Sequence, residues 1–431
     1  MGQTWDRIGD ILAGKAEDTV QIRGWIHRTR SSGKLIFLQV RDATGIIQAT
    51  IEKGGISDTE FEAARKALIE SSVSLKGKVL KDKRAPGGWE IHPESFTVIN
   101  YADIFPITEQ HSTEVLLDHR HLWVRSQQLT QIMKIKASLL HIIREWFVMN
   151  DFFETTPSVI TTNAAEGGAT AFTFKYFDQK AFLSQTAQMY LEALIFSLER
   201  VWCLTPSFRA EKSRTRRHLI EYCHLEAEEA WLDNSQNMAL QEDLISYVCQ
   251  QISTTCTSSL EALGVNSLHL QKIIPPFPKI TYKEAITRLQ KKGFDFAWGD
   301  DFGVLHEKAL TEDEEKPLFI THFPQEIKAF YMKLSPDGKT VECSDMLAPQ
   351  GYGEIIGGSQ RSEDTSSMKK RLTKQGARLE NYEWFFDLRR FGSIPHSGFG
   401  MGIERVLCWI TQQEHIRDMT PFPRLVRRAY P

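Results

Sequence analysis

FRAEKSRTRRHLIEYCHLEAE, running from Phe208 to Glu228, is the stretch that decides how the rest of the chain is read. Two extended arms flank a basic loop, KSRTRR, which carries Lys212, Arg214, Arg216 and Arg217. Side chains alternate between the faces of a strand, so Arg209 and Glu211 are expected on one face of the first arm. Tyr222, His224, Glu226 and Glu228 share a face of the second arm by the same rule. An arginine, a carboxylate, a ring and a basic loop on one side suit a nucleoside triphosphate. The planar guanidinium meets phosphate oxygens with paired donors, and the ring offers a face to a base. A charged hairpin face is equally what a solvated surface presents, so the remainder of the chain has to decide.

The chain has 431 residues, room for two or three domains, with 41% apolar and 25% charged residues, as in ordinary globular proteins. No apolar run is long enough for a membrane-spanning helix. MGQTWDRIGDIL at the N-terminus has charges where a signal peptide needs an apolar core, so a cytoplasmic protein is expected. Its 6 cysteines (203, 223, 249, 256, 343 and 408) form no CxxC pair, which argues against a zinc ribbon and for reduced thiols. A net charge of −3 is not that of a general nucleic-acid binder, so any such contact must be local. Two basic patches qualify: Arg23, His27, Arg28, Arg30, Lys34 and Arg41, and the Lys212 to Arg217 loop.

Residues 1–103 read as short strands with turns at Ser31-Ser32-Gly33 and Ala43-Thr44-Gly45, plus a helical stretch from Ser57 to Glu70. Residues 104–124 read as a linker, and 125–431 as a second domain of alternating strands and helices. The charged segment from Glu284 to Glu315 shows only weak patterning and suggests no function. In KLIFLQVRD, Ile36, Leu38 and Val40 form an aliphatic face, leaving Phe37 on the opposite face with Gln39 and Arg41. In GIIQATI, Ile47, Ala49 and Ile51 point inward and Gln48 outward. An aromatic among arginines and amides offers single-stranded bases a stacking platform and donors for their edges.

The Phe208–Glu228 stretch resembles motif 2 of the class II aminoacyl-tRNA synthetases, in the aspartyl, asparaginyl and lysyl subgroup. HLWVRSQQLTQIMKIKASLLHIIREWFVMNDFFETTPSVI (His121 to Ile160) resembles motif 1, ending at Pro157, and PHSGFGMGIERVLCWI (Pro395 to Ile410) resembles motif 3. VQIRGWIHRTRSSGKLIFLQVRDATGIIQATI (Val20 to Ile51) resembles the subgroup's anticodon-binding OB domain. The resemblance spans nearly the whole chain in the family's order and is nearest the compact archaeal type of the asparaginyl branch. It implies an α+β protein: an OB-fold β-barrel followed by a catalytic domain built on an antiparallel sheet flanked by helices.

The resemblance also implies roles. Arg209 would meet the ATP α-phosphate and Glu211 the adenine edge or the loop. Tyr222 and Arg405 would enclose the adenine, Arg405 also reaching the γ-phosphate with Arg217 or His218. Asp345 and Glu354 match magnesium carboxylates, with Gly357 where some aspartyl enzymes carry a metal-binding serine. Phe37 and Gln48 would read the central anticodon base, with Arg28 and Arg30 on the same surface. Motif 1 implies a homodimer, although the stripe Ile132, Ile135, Leu139, Ile142 and Trp146 reads by itself as core.

For the amino acid, Glu166 and Gln188 match the groups that meet the α-amino group, and Arg361 the arginine that holds the side-chain oxygen. Aspartyl enzymes pair a lysine with an aspartate where this chain has Leu191 and Glu226. The exchange removes a cation and leaves an unpaired carboxylate at the end of the pocket, which accepts from an amide NH2 and repels a second carboxylate. The expected reaction is therefore ATP- and Mg2+-dependent charging of tRNA(Asn) with asparagine. An aspartyl-tRNA synthetase, possibly non-discriminating, and an asparagine synthetase that shares the catalytic fold remain as alternatives. The first lacks its lysine here, and proteins of the second kind lack the N-terminal domain.

Overall fold

The computed structural model describes residues 5–107, 111–163, 170–212 and 215–431. The chain divides into two compact units, Met1–Leu116 and Leu117–Pro431.

The first unit contains a closed barrel of β1 (Thr19–Ser32), β2 (Leu35–Arg41), β3 (Ile46–Glu52), β4 (Ser72–Lys81) and β5 (Trp89–Asn100), in the order β1-β2-β3-β5-β4. Alternation along β2 and β3 sends Ile36, Leu38, Val40, Ile47, Ala49 and Ile51 into one core, as expected. Helix α1 (Asp58–Lys66) is shorter than the expected Ser57–Glu70. Ser57 and Glu60 form a capping box at its start, and the chain is already extended at Ala67.

The second unit is organised, in chain order, by α2 (Gln127–Met149), β6 (Phe153–Glu154), α3 (Gln188–Leu198), β7 (Arg200–Phe208), β8 (Glu221–Ala230), α4 (Asn234–Thr255), β9 (Lys279–Thr281), α5 (Val304–Thr311), β10 (Leu318–Thr321), β11 (Cys343–Ala348), β12 (Gly353–Gln360), α6 (Thr365–Lys374), β13 (His396–Gly402) and α7 (Ile403–Ile410). Its main sheet has the order β9-β10-β11-β12-β13-β8-β7-β6. The expectation of an antiparallel sheet holds except at the two edges, where β6–β7 and β9–β10 run parallel. Helices α2, α4 and α7 cover the sheet. The α2 stripe Ile132, Ile135, Leu139, Ile142 and Trp146 is buried in that core.

Two expectations give way. The first arm of the hairpin ends as a strand at Phe208: the Arg209 N–H still donates to the Ile220 carbonyl at 2.9 Å, but the Ala210 N–H turns away to the Thr170 carbonyl at 2.7 Å. Arg209 and Glu211 therefore do not sit on a strand face. The segment from Glu284 to Glu315 is ordered too. It takes in most of the helix Tyr282–Lys291 and all of α5, packed on a core that includes Phe296 and Leu310.

Candidate active site

Register across the main sheet sets the site. Glu226 pairs with Gly400, Gly400 with Gly357, and Gly357 with Asp345, so the four form one row across β8, β13, β12 and β11. The next row runs Glu228, Gly398, Ser359 and Cys343. Glycines make the floor low enough for the acidic side chains to lie over it. A Cβ at Gly398 would stand 2.2 Å from the Glu228 carboxylate. Above this floor opens a cavity of about 580 Å³, walled by Gln188, Arg209, Glu226, Asp345, Glu354 and Arg361 among others. Those six predicted residues are thus brought together from five separate segments.

At one end the carboxylates are engaged rather than open. Glu226 is not the unpaired group that the sequence suggested. Thr186 Oγ1 donates to its Oε1, the Ala187 N–H donates to Oε2 at 2.7 Å, and His224 Nδ1 lies 3.3 Å from Oε2. Burial pushes its carboxyl above the usual carboxylate range, against the hydrogen bonds from Thr186 and Ala187. Arg361 donates from Nε and Nη2 to Glu228, and from Nη1 to Ser359 Oγ at 2.6 Å. Glu228 shares the strand face of Glu226, and that period was the one signal for it in the sequence.

Gln188 donates from Nε2 to Glu192 Oε1 at 2.9 Å. Glu192 is fully buried against Arg389 Nη2 at 2.5 Å and His396 Nε2 at 3.0 Å. Burial would raise its carboxyl, but Arg389 and then His396 hold it well below the usual range. Leu191 is a correction. It is fully buried over β7 with Ile195, Val201 and Cys203 and forms no part of the cavity wall. An aliphatic side chain one turn along α3 from Gln188 takes the core, as hydrophobicity requires. Glu166 lies outside the described residues.

At the other end, Arg209 stacks over Tyr222, its guanidinium carbon 5.6 Å from the ring centroid. Arg405, near the start of α7, donates to the Glu354 carbonyl at 3.1 Å and to its Oε2 at 3.2 Å. Burial pushes the Glu354 carboxyl up, but Arg405 and Lys328 pull it down to about 2. Arg217 donates from Nη1 to Glu307 on α5, and from Nη2 to the Glu354 carbonyl at 3.4 Å. Arg217, His218, Tyr222 and Arg405 form no part of the cavity wall, although Arg217 and Arg405 are tied to it through Glu354. Glu211 also lies off the wall, 3.9 Å from His218 Nε2.

Lys328 is a group the sequence did not announce. Its ammonium donates to Asp345 Oδ2 at 2.6 Å and stands 3.9 Å from the centroid of the Phe323 ring. Burial pushes the Asp345 carboxyl up to about 6, Lys328 pulling against the rise and Glu354 adding to it. The loop that carries Lys328 is held by Arg371 of α6, which donates to the carbonyls of Gln325, Lys328, Ala329, Phe330 and Met332.

Asp345 and Glu354 fit a small hard cation. A Cβ on Gly357 would lie 3.3 Å from Glu354 Oε1 and 3.7 Å from Asp345 Oδ1, so both carboxylates converge there. Magnesium is commonly held by one or two carboxylates together with substrate phosphates and water. Among the described residues no group of three or more His, Cys, Asp or Glu could hold a metal without such help.

On the barrel, Arg28 pairs with Gln39, Gln39 with Gln48, and Gln48 with Glu90, forming a polar row beside the row Arg30, Phe37 and Thr50. Phe37 is half-buried and both arginines are exposed. Gln48 Nε2 donates to Glu90 at 3.0 Å, and Thr50 Oγ1 donates to the same oxygen at 2.8 Å. Glu90 was not foreseen from the sequence. Arg41 drops out of the expected basic patch, because it pairs with Glu70 at 2.6 Å and stacks over Trp25.

Residues 112–426 match the family profile described as tRNA synthetases class II (D, K and N). The chain belongs to the class II tRNA synthetases. Residues 20–99 match the OB-fold nucleic acid binding domain. Among curated relatives of this synthetase, an asparagine–tRNA ligase of Pyrococcus horikoshii is 49% identical over 416 residues, 96% of each chain. One from Symbiobacterium thermophilum is 44% identical over 98% of this chain and 99% of its own. The crystal structure of asparaginyl-tRNA synthetase from Pyrococcus horikoshii complexed with asparaginyl-adenylate superposes with a TM-score of 0.96 at 47% identity, covering all of both chains.

Proposed function

We propose that this protein is an asparagine–tRNA ligase: it activates L-asparagine with ATP to asparaginyl-adenylate and transfers the asparaginyl group to tRNA(Asn). The observation that carries the reading is the row from Glu226 to Asp345, which joins the acidic end at Glu226 and Glu228 to the end that holds Asp345, Glu354 and Arg209 across one cavity.

At the pocket end Arg361 is engaged by Glu228, Arg209 is the cation whose charge acts on Glu226, and Leu191 supplies no lysine beside them. An aspartate side chain would add a third negative charge to a buried site, whereas an asparagine amide adds none and can donate its NH2 to Glu226. Glu192 fixes the Gln188 NH2, which leaves the Gln188 carbonyl to accept from the substrate's α-amino group, with Glu166 as a second acceptor.

At the phosphate end, Arg209 neutralises the α-phosphate while Tyr222 and Arg405 enclose the adenine. Arg217, Arg405 and His218 serve the outer phosphates, and Glu211 contacts the adenine or the loop. Asp345 and Glu354 would hold Mg2+, which when bound offsets phosphate charge that arginines alone leave uncompensated. The asparagine carboxylate attacks the α-phosphorus. The new carboxylate–phosphorus bond forms as the bond to the bridging oxygen breaks, and pyrophosphate leaves with the electron pair. No general base is needed, so positioning and electrostatics supply the rate. A terminal ribose hydroxyl of the tRNA then displaces AMP.

Phe37 stacks on an anticodon base, Gln48 reads its edge with Glu90 fixing the amide, and Arg28 and Arg30 meet the backbone. A homodimer is part of the reading. With the α2 stripe spent on the core, the exposed Val148, Met149 and Phe153, at the end of α2 and on edge strand β6, offer one apolar surface for it. The compartment is the cytoplasm. No helix among the described residues is long and apolar enough to cross a membrane.

The test is amino-acid-dependent ATP–pyrophosphate exchange with asparagine, aspartate and lysine. Exchange with asparagine alone is expected. Exchange driven best by aspartate would replace this reading with the aspartyl one.

A further inference from the structure

Glu307 projects from α5, inside the charged segment whose sequence suggested no function. Its Oε2 accepts from Arg217 Nη1 and also from the Glu354 backbone N–H at 3.0 Å. Arg217 returns to the same residue, donating from Nη2 to the Glu354 carbonyl at 3.4 Å. One carboxylate oxygen therefore joins the hairpin loop, the start of β12 and α5. The pair is largely buried, with side-chain exposures of 16% for Arg217 and 13% for Glu307.

The fit is tight. Gly353, at φ +73°, lies flat against the ion pair, and a Cβ there would stand 2.1 Å from Arg217 Nη1 and 2.3 Å from Glu307 Oε2. Only glycine accommodates both that backbone and that contact. Glu354, whose main chain Glu307 holds, is also the residue gripped by Arg405. Just before α5, Asp301 lines the cavity itself.

We propose that Glu307 is a positioning residue for adenylate formation. Its carboxylate fixes the Arg217 guanidinium and the Glu354 main chain where they meet the ATP triphosphate. The proposal rests on the assignment of Arg217 and Glu354 to the phosphate end of the site. An arginine at the end of a long flexible stem loses rotamer freedom when it binds phosphate, and a buried carboxylate that already orients it removes that cost. Because Glu307 comes from α5, this helix becomes part of the nucleotide site although its sequence carries no family motif.

The experiment is ATP–pyrophosphate exchange by the full-length Glu307→Ala and Glu307→Gln variants, with KM measured separately for ATP and for asparagine. Loss of a charge-assisted hydrogen bond is worth roughly 10- to 100-fold, so Glu307→Ala should raise the ATP KM by about that factor and leave the asparagine KM unchanged. Glu307→Gln, whose carbonyl still accepts from both donors, should recover most of the loss. The double variant Arg217→Ala/Glu307→Ala should fall well short of the product of the two single effects. An unchanged ATP KM in Glu307→Ala, an equal rise for ATP and asparagine, or multiplicative effects in the double variant would each overturn the proposal. If Arg217→Ala itself leaves the ATP KM unchanged, the assignment of Arg217 to the phosphates has failed, and the proposal falls with it for that separate and visible reason.

Discussion

Glu226 and Asp345 occupy one row of the catalytic sheet with only Gly400 and Gly357 between them. Three interstrand steps separate their main chains, about 14 Å at the usual spacing. That is the scale of an aminoacyl-adenylate lying across the strands, with its side chain at one acidic residue and its phosphate near the other. The sheet thus works as a ruler, and removing the Cβ atoms at the two intervening positions opens the surface along it.

Arg209→Ala should abolish asparagine-dependent pyrophosphate exchange while leaving the fold intact. The guanidinium lies on the cavity wall over the Tyr222 ring, and in the proposed function it meets the α-phosphate, where negative charge develops as pyrophosphate departs. Removing a preorganised charge-stabilising donor typically costs about 10²–10³ in rate. Near-normal exchange by this variant would take Arg209 out of the catalytic set.

Phe37→Ala separates the two halves of the reaction. The ring is half-buried on the outward row of the barrel, beside Arg30 and Thr50. Losing a stacking platform costs about 1–3 kcal/mol of binding, so tRNA charging should weaken while tRNA-independent pyrophosphate exchange stays at the wild-type rate. Equal losses in both assays would assign Phe37 to barrel stability instead.

Arg389→Met should destabilise the protein by about 3–5 kcal/mol, the usual cost of leaving one member of a buried ion pair without its partner. The stranded group is Glu192, fully buried with Arg389 and His396 on its Oε2. Chemical denaturation with tryptophan fluorescence measures it. Restoration by Glu192→Leu in the same background would show that the uncompensated charge, rather than lost packing, is responsible.

The sequence made the barrel legible because strict alternation in Ile36, Leu38 and Val40 leaves one assignment of inside and outside. It made candidate site residues legible where they lie in contiguous motifs: Arg209 and Glu226 line the cavity, and Arg405 is bonded to Glu354 of its wall. Glu307, Lys328, Glu192 and Arg389 escaped for a common physical reason. Each is paired with a residue in another element of the chain, and a lone charged residue looks the same whether it faces solvent or a buried ion. Leu191 misled differently. It stands out in the sequence for a charge it does not carry, and the structure finds it in the core rather than on the cavity wall. The first hairpin arm could not be drawn from periodicity either, since its departure from the sheet depends on the distant carbonyl of Thr170.

If Glu226 selects the substrate, as the proposed function has it, its effect should depend on pH. Burial raises its carboxyl above the usual range, so it takes up a proton before a substrate aspartate, whose ordinary pKa is about 3.9. In its charged form Glu226 repels a second carboxylate about 4 Å away by about 4 kcal/mol at an effective dielectric of about 20, roughly a thousandfold. Wild type should therefore reject aspartate most strongly at the alkaline end, where Glu226 is charged, and the ratio of kcat/KM for asparagine over aspartate should fall as the solution is acidified and Glu226 takes up its proton. Glu226→Gln keeps the volume and offers an NH2, so its ratio should collapse and no longer follow pH. Leu191→Lys should push the preference further toward aspartate. Cys203, the cross-strand partner of Glu226, packs in the same cluster as Leu191, so a lysine stem can lie along that core with its ammonium directed at the carboxylate. A wild-type ratio that favours aspartate, or a Glu226→Gln ratio equal to that of wild type at every pH, would remove Glu226 as the selector.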